Sequence, residues 1–254
     1  MASTEQPKPA STHTKSRNAA VSTPMDDGDF ERATRGFIAS YPGGRINDPS
    51  GRMVTDTNRY DFIRQSPEAP DTVNPSLWRH ARLNANHGLF EVADGVWQVR
   101  GYDISNITFI KGTDGWVVID PLTTEATARA SYELITSHLG HRPVTGVIYT
   151  HSHADHFGGV LGVTTQAEVD AGRCRVIAPV GFLHETVGEN VIAGPAMNRR
   201  STYQFGPLLP AGPTGHVDCG LGNSVPLGPP GLIAPTEDIT FTGEELVVDG
   251  VRII

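Results

Sequence analysis

Four side chains that can bind metal ions stand within six residues of this sequence, at positions 151–156 (HSHADH). Side chains at i and i+2 of an extended segment point to the same side, so His151 and His153 can bind one metal ion together. Asp155 and His156 then follow as the chain turns into a loop, where they can face a second ion. The spacing therefore predicts a metal site rather than a chance group of surface histidines.

Two metal ions that share a bridging water are the natural arrangement for these four ligands. Such a pair lowers the pKa of the water and stabilises the negative charge that develops during hydrolysis. Histidine suits zinc, and the carboxylate also tolerates harder ions. The four side chains are therefore candidate ligands of two zinc ions.

The elements around the motif place it at the end of a strand. Residues 144–149 form an apolar run that leads directly into the motif, and Gly158-Gly159 follows before a helix start. Ligands gather at the carboxyl ends of strands in sheet-based folds. Upstream, residues 116–119 are predicted to be a buried strand that ends at Asp120, and Thr124 is predicted to cap a helix reaching about Leu139.

Further alternating runs predict a layered protein in which strands and helices succeed one another. Residues 182–192 are predicted to be a helix that exposes His184 and Glu185, and residues 206–231 a loop rich in Gly and Pro. The other predicted strands are 95–100, 104–111, 175–178, 232–233, 239–241 and a hairpin over 246–254. The fold class expected from this order is α/β (α+β).

The first 89 residues differ in composition from the rest of the chain. Residues 1–24 are mostly Ser, Thr, Pro, Ala and Lys, and we expect a disordered tail there. Residues 25–89 hold apolar residues without sustained periodicity and are broken by prolines, so we expect an arm that wraps the main domain. That domain is expected to occupy residues 90–254.

Charge and hydropathy exclude several classes of partner. The 254 residues carry a formal charge of −8, which is not the electrostatic footprint of a nucleic-acid-binding protein. No apolar run approaches the roughly 20 residues of a membrane span. No apolar core follows a basic start, so no signal peptide is predicted and the expected location is the cytoplasm. Two cysteines cannot form a disulfide framework.

A few residues outside the motif could also take part in chemistry. His216, with Asp218 and Cys219 beside it, could supply a further ligand, although a loop histidine is the more common interpretation. Cys174 is expected to be a small buried residue rather than a nucleophile. The pair Arg199-Arg200 suits an anionic head group, yet a solvated pair near a helix end is favoured.

The pattern His-x-His-x-Asp-His after an apolar strand resembles the signature of the metallo-β-lactamase superfamily. Several further blocks resemble the alkyl/aryl-sulfatase branch of that superfamily, whose members include dodecyl sulfate hydrolases. These blocks are residues 74–79, 86–90, 95–103, 122–124, 126–132, 150–160, 189–194 and 199–203. The similarity extends over about residues 25–254.

The resemblance implies an αββα sandwich with a dinuclear site that usually holds zinc. It also implies hydrolysis of alkyl sulfate esters, such as dodecyl sulfate, to an alcohol and inorganic sulfate. His151, His153, Asp155 and His156 match the family's ligands, and Asp155 is the residue expected to act in catalysis as well. Asp120 matches the acidic residue that supports the ligands through hydrogen bonds.

The resemblance further implies that this chain corresponds to the N-terminal part of such an enzyme. Two glutamate ligands, a further histidine ligand, the sulfate-binding residues and the region through which family members dimerise lie beyond the point that matches Ile254. We therefore expect an incomplete sandwich.

Two alternatives to an alkylsulfatase stay open from the sequence. One is another hydrolase of the superfamily, acting on a lactone, thioester or lactam, with His216 as an added ligand. The other is a truncated product that catalyses nothing.

Overall fold

A mixed sheet of eight strands organises the chain, and the computed structural model describes residues 8–21 and 28–254. The strands are β1 (Phe37–Ala39), β2 (Arg45–Asn47), β3 (Met53–Asp56), β4 (Gly88–Ala93), β5 (Val96–Arg100), β6 (Ile107–Lys111), β7 (Trp116–Ile119), β8 (Val144–Ile148), β9 (Arg175–Pro179), β10 (Glu237–Ile239), β11 (Leu246–Val248) and β12 (Val251–Ile253). The helices are α1 (Thr12–Ala19), α2 (Gly28–Thr34), α3 (Asp61–Gln65), α4 (Pro75–Asn84), α5 (Glu125–Leu139), α6 (Ala154–Phe157), α7 (Gln166–Asp170), α8 (Phe182–Val187) and α9 (Gly194–Phe205).

The sheet changes from antiparallel to parallel pairing at β7. Its order is β1-β4-β5-β6-β7-β8-β9-β10, with antiparallel pairs up to β7 and parallel pairs from β7 onward. Parallel neighbours need a crossover, and α5 provides it between β7 and β8. The carboxyl ends of β7 and β8 therefore lie side by side, which brings Asp120 next to the residues that follow β8.

The crossover helix begins and ends where the sequence predicts. The Thr124 hydroxyl accepts a hydrogen bond from the backbone N–H of Thr127, and Gly140, at φ 84°, ends the helix. The buried residues of α5 pack against the side of the sheet that carries Trp116 and Val118. This contact forms the main core of the protein.

The opposite side of the sheet is covered in part by the predicted C-terminal hairpin, β11–β12. Val248 packs there on Val117 and Ile177. Gly146 makes this approach possible, because a Cβ at that position would lie 2.5 Å from a methyl of Val248. Asp249 anchors the hairpin by accepting hydrogen bonds from the backbone N–H of Gly115 (2.7 Å) and the Thr145 hydroxyl (2.8 Å). The sheet thus has helices on one face and a second, two-stranded layer on the other.

The strands predicted at residues 232–233 and 239–241 differ from the strand that the structure shows. Residues 232–233 form no strand, and β10 covers Glu237–Ile239 rather than 239–241. The reason is tertiary: the carbonyl of Ile233 accepts the Tyr149 hydroxyl, and Thr236 exchanges hydrogen bonds with the backbone of Val176. These contacts decide the register in which β10 joins β9.

The N-terminal region also differs from prediction. Residues 1–7 and 22–24 of the predicted tail lie outside the described residues, but α1 forms within it, capped by the Ser11 hydroxyl. Lys15 pairs with Asp71 at 2.9 Å, and the Asn18 amide donates to the carbonyl of the same residue. The predicted arm contributes β1 to the edge of the main sheet and forms a small core around Trp78. The division into tail, arm and domain stays a prediction.

No helix within residues 8–21 or 28–254 combines the length and the apolar character needed to cross a membrane.

A buried carboxylate fixes the loop that joins β7 to α5. Asp103 is 2% exposed and accepts hydrogen bonds from the backbone N–H and hydroxyl of Thr123 and from the Thr127 hydroxyl. Burial raises the pKa of Asp103 from 3.8 to about 6, against the opposing effect of these hydrogen bonds. The folded protein therefore holds this proton more tightly than the unfolded chain does.

The free energy of unfolding is expected to fall as the pH rises from about 4 through 6, because the folded state binds the Asp103 proton over that interval and the unfolded state does not. A pKa difference of this size corresponds to about 3 kcal/mol. Urea titrations of the native protein and of Asp103→Asn, from pH 4 to 7, measure the effect. The difference between the two stabilities should change over this interval, and parallel profiles would contradict the assignment.

Candidate metal centre

The HSHADH segment begins where β8 ends and is held at both ends by buried rings. Tyr149, fully buried, donates its N–H to the carbonyl of Ile177 on the neighbouring strand. The chain bends at residues 150–152, is extended at His153 (φ −70°, ψ 139°) and then enters the single turn of α6, which ends at the buried Phe157. Asp155 and His156 thus lie on a short helix, whereas the sequence predicted a loop.

Asp120 lies beneath this segment and orients two parts of it. Its backbone has φ 54°, a left-handed conformation that Asp and Asn tolerate better than most residues. One carboxylate oxygen accepts the N–H of Thr150 at 2.8 Å, and the other accepts the Thr150 hydroxyl at 2.7 Å. The second oxygen also accepts Nδ1–H of His156 at 2.8 Å. Because a carboxylate only accepts, Nδ1 of His156 carries a proton, and Nε2 is the ring atom that faces Asp155.

The four predicted ligands turn donor atoms toward one another in two pairs. Nε2 of His151 and Nδ1 of His153 are 3.1 Å apart. Nε2 of His156 and a carboxylate oxygen of Asp155 are 3.2 Å apart. The rings of His151 and His156 lie side by side, with centroids 4.1 Å apart. The structure therefore brings all four residues together as two adjacent two-ligand sets.

The charges of this cluster are coupled. Although burial lowers the pKa of His156, hydrogen bonds and charge interactions with Asp120 and Asp155 raise it to about 9. Burial would raise the pKa of Asp155, but the hydrogen bond and charge of His156 hold it below its usual value. Burial and the two neighbouring rings lower the pKa of His151. The two carboxylates thus favour the protonated form of His156, so metal binding at Nε2 is coupled to release of a proton.

The donor set fits metal ions as two open half-sites rather than as a closed cage. In the part of the chain that the structure describes, no group of three or more His, Cys, Asp or Glu side chains is arranged to hold a metal ion. In each half-site one imidazole is already hydrogen-bonded at Nδ1, His151 to Thr150 and His156 to Asp120, which is how metal-binding imidazoles are usually oriented. Each ion would need further ligands to complete its coordination.

His216 is engaged elsewhere. Its Nδ1 lies 2.9 Å from the Tyr60 hydroxyl and its Nε2 lies 3.6 Å from Sγ of Cys219, so both ring nitrogens are occupied away from the HSHADH segment. The ring is 6% exposed, and burial lowers its pKa. This arrangement is that of a histidine within the Gly/Pro-rich loop that packs against Tyr60, the residue before α3.

The structure also shows where the remaining candidate residues lie. Cys174 is buried, and burial raises the pKa of its thiol to about 11, which does not suit a nucleophile. The residues His184, Glu185, Arg199 and Arg200 are exposed on α8 and α9. None of these side chains is recorded in contact with the four predicted ligands among the described residues.

Sequence reasoning missed two residues that touch the ligands. The hydroxyl of Ser105, in the β5–β6 loop, donates to the carbonyl of Asp155. A carboxylate oxygen of Glu189 lies 3.5 Å from Nε2 of His153. Glu189 belongs to a sequence block that resembles the alkyl/aryl sulfatases, but no spacing rule connects it to a motif 36 residues away.

The pattern that describes the metallo-beta-lactamase superfamily matches residues 100–244, which is more than half of the chain. The chain therefore belongs to the metallo-beta-lactamase superfamily, and the predicted family and fold class are confirmed. Membership in this superfamily implies metal ions at the site.

The chain is also similar in sequence to individual proteins. The chain is 47% identical over 249 residues to a linear primary-alkylsulfatase of Pseudomonas sp., a match that covers 97% of this chain and 37% of the relative. It is 50% identical over 230 residues to an alkyl/aryl-sulfatase of Saccharomyces cerevisiae, covering 90% of this chain and 35% of the relative. The chain thus spans little more than a third of the length of these relatives.

A solved structure shows the same arrangement of the backbone. A stereoselective inverting sec-alkylsulfatase from Pseudomonas sp. superimposes with a TM-score of 0.91 at 43% identity, over 97% of this chain and 39% of that protein. The fold described above is therefore that of the matching part of this sulfatase.

Proposed function

We propose that this chain supplies the metal-binding loop of a zinc-dependent alkylsulfatase that hydrolyses alkyl sulfate esters to an alcohol and inorganic sulfate. The observation that carries the proposal is the pairing of donor atoms in the HSHADH segment, with Asp120 holding His156 and, through Thr150, His151. The identity to alkylsulfatases supports the substrate class.

The four predicted ligands and Asp120 have different roles in this proposal. His151 and His153 would hold one zinc ion, and Asp155 and His156 the other. Bound zinc supplies a water molecule of lowered pKa and charge stabilisation for the leaving sulfate. Asp155 and the imidazoles would hold the ions, and Asp120, by accepting Nδ1–H of His156, leaves Nε2 as the nitrogen that would bind the metal.

A second hydrolase function, on a lactone, thioester or lactam with His216 as a ligand, finds no support in the contacts. Both nitrogens of His216 face Tyr60 and Cys219. The inert-fragment alternative is instead an outcome of the test below.

The test combines metal content with turnover. The purified chain is expected to bind zinc, as measured by mass spectrometry of the metal, and to release sulfate from dodecyl sulfate. Chelation should abolish the release and added zinc should restore it. His151→Ala should lose zinc and turnover, whereas His184→Ala, an exposed histidine on α8, should keep both.

The outcomes separate the parts of the proposal. A chain that binds no zinc would contradict the metal role. Zinc binding without sulfate release, in a well-folded protein, would contradict the activity and favour the inert alternative. Hydrolysis that persists in chelator would contradict the metal mechanism.

A further inference from the structure

We propose that Arg100 and the carboxamide side chains around it bind a small oxyanion, a carboxylate or a sulfate, on a ligand that also carries hydroxyl groups. Arg100 is the last residue of β5, and it lines a cavity of about 310 Å³ beside the β5–β6 loop. A cavity of this size can hold a small organic molecule. The inference goes beyond the proposed function, because binding at Arg100 requires no metal ion.

The cavity contains a positive charge that has no negative partner among the described residues. Its ionisable lining residues are Arg100 and Asp103. The Asp103 carboxylate accepts hydrogen bonds from Thr123 and Thr127 and is therefore engaged away from the guanidinium. In the part of the chain that the structure describes, no carboxylate forms an ion pair with Arg100. The cavity can therefore accept an anion without displacing an acidic side chain.

The guanidinium of Arg100 is held in place while its terminal nitrogens stay available. Its carbon lies 4.6 Å from the centroid of the Phe90 ring, and its Nε–H donates to the side-chain oxygen of Gln98 at 3.0 Å. The amide of Gln98 donates in turn to the Thr108 hydroxyl at 3.0 Å. The two terminal nitrogens make no hydrogen bond to any residue that the structure describes. Their paired N–H groups have the geometry that binds two oxygens of an anion side by side.

The burial of Arg100 favours the binding of an anion. The side chain is half-buried, and the loss of water lowers the pKa of its guanidinium. A charge that is removed from water without a partner raises the free energy of the folded protein. An anion on the terminal nitrogens would offset this cost.

The carboxamides that line the cavity indicate a ligand with hydroxyl groups. Asn86 donates its amide N–H groups to the carbonyls of Arg82 and Leu83, which leaves its side-chain oxygen as an acceptor. The side chain of Asn106, exposed in the β5–β6 loop, makes no hydrogen bond among the described residues and can both donate and accept. An oxyanion only accepts, whereas hydroxyl groups on the same ligand can donate to these oxygens.

The strand order places this cavity at the same edge of the sheet as the HSHADH segment. β5 is antiparallel to β6, and β6 is antiparallel to β7, so the carboxyl ends of β5 and β7 lie at one edge. None of the four predicted metal ligands is among the residues that line the cavity. Anion binding at Arg100 and metal binding can therefore be measured separately.

The experiment follows the Nε–H signal of Arg100 in ¹H–¹⁵N spectra of the chain at pH 7, after metal is removed on a chelating resin. Arg100→Lys assigns the signal. Tartrate, succinate and inorganic sulfate are added in turn, with sodium chloride keeping the ionic strength constant. Tartrate is expected to shift the signal saturably and to bind more tightly than succinate, which lacks the hydroxyl groups. Tighter binding of sulfate than of succinate would identify the anionic group as a sulfate, and the reverse order would identify it as a carboxylate.

Variants test which side chains bind the anion, with the backbone N–H of Gly101 as the reporter. Arg100→Gln should raise the Kd of tartrate by about 10-fold or more. Arg100→Lys keeps the charge without the paired N–H groups and should have an intermediate effect. Arg173→Gln, which removes an exposed arginine that pairs with Glu168, is the matched control and should keep the native Kd. Asn106→Ala should raise the Kd of tartrate by about 3-fold and leave that of succinate unchanged.

Two results would overturn the inference. One is the absence of a saturable shift of the Arg100 signal with all three anions. The other is a folded Arg100→Gln protein that binds tartrate as tightly as the native chain does. Equal affinities for tartrate and succinate would contradict the role of the carboxamides, and Asn106→Ala tests that role if the Arg100 variants do not fold. Since the protein is free of metal, a chain that binds no zinc could still bind tartrate, which would contradict the proposed function while supporting the anion site.

Discussion

Asp120→Asn is expected to lower zinc affinity by about 10–100-fold while the fold is retained. Asn accepts the left-handed backbone at position 120 (φ 54°), so the turn after β7 should survive. The amide nitrogen, however, replaces one of the two oxygens that serve Thr150 and His156. A donor that faces Nδ1 of His156 favours the other tautomer, which places a proton on the nitrogen meant for the metal.

Competition between the protein and a chromogenic chelator measures this loss, and circular dichroism verifies the fold. Asp238→Asn is the matched control, since Asp238 is exposed on β10. Equal zinc affinities for Asp120→Asn and the native protein would show that Asp120 does not orient the ligands.

Phe182→Ala is expected to reduce the free energy of unfolding by about 3–5 kcal/mol. Phe182 is 4% exposed, stacks on Tyr149 with centroids 5.0 Å apart and meets the edge of Phe157 at 5.6 Å. Tyr149 precedes the HSHADH segment and Phe157 ends it. The three rings form the apolar base on which the metal loop stands, so truncation leaves a cavity directly below it.

Urea denaturation of the native protein and of Phe182→Ala measures the difference in the free energy of unfolding. Leu183→Ala, at the adjacent and 42% exposed position, should lower the free energy of unfolding by less than about 1 kcal/mol. A Phe182→Ala protein as stable as Leu183→Ala would mean that the loop does not depend on this aromatic base.

The parts of the fold that follow from local patterns were predictable. The strand before the motif, the Thr124 cap and the hairpin at Asp249-Gly250 depend on periodicity, capping and turn chemistry within a few residues. The place of Asp120 beside the motif was expected from the resemblance to the superfamily, and the parallel pairing of β7 and β8 in the structure accounts for it.

The parts that depend on distant contacts were not predictable. Glu189 meets His153 only because α8 packs its Phe182 on Tyr149 and a π-turn follows. Asp103 binds Thr123, which is distant in sequence, by hydrogen bonds. The register of β10 depends on the hydrogen bonds between Thr236 and Val176. Helix α1 forms in a segment with little to bury; Ser11 caps it, and Lys15 and Asn18 contact Asp71.

The closeness of the four ligands in sequence has a consequence for folding. An unfolded chain keeps His151, His153, Asp155 and His156 within six residues and can therefore also capture zinc. Binding to the unfolded state subtracts from the stabilisation that a ligand gives the native state. Zinc should therefore stabilise this fold only by the difference between its binding to the native and to the unfolded chain, and Asp120, 31 residues before His151, contributes to that difference. The Asp120 carboxylate lies beside these ligands only when β7 and β8 have paired. An increase in zinc affinity during folding would therefore indicate that this part of the sheet has formed.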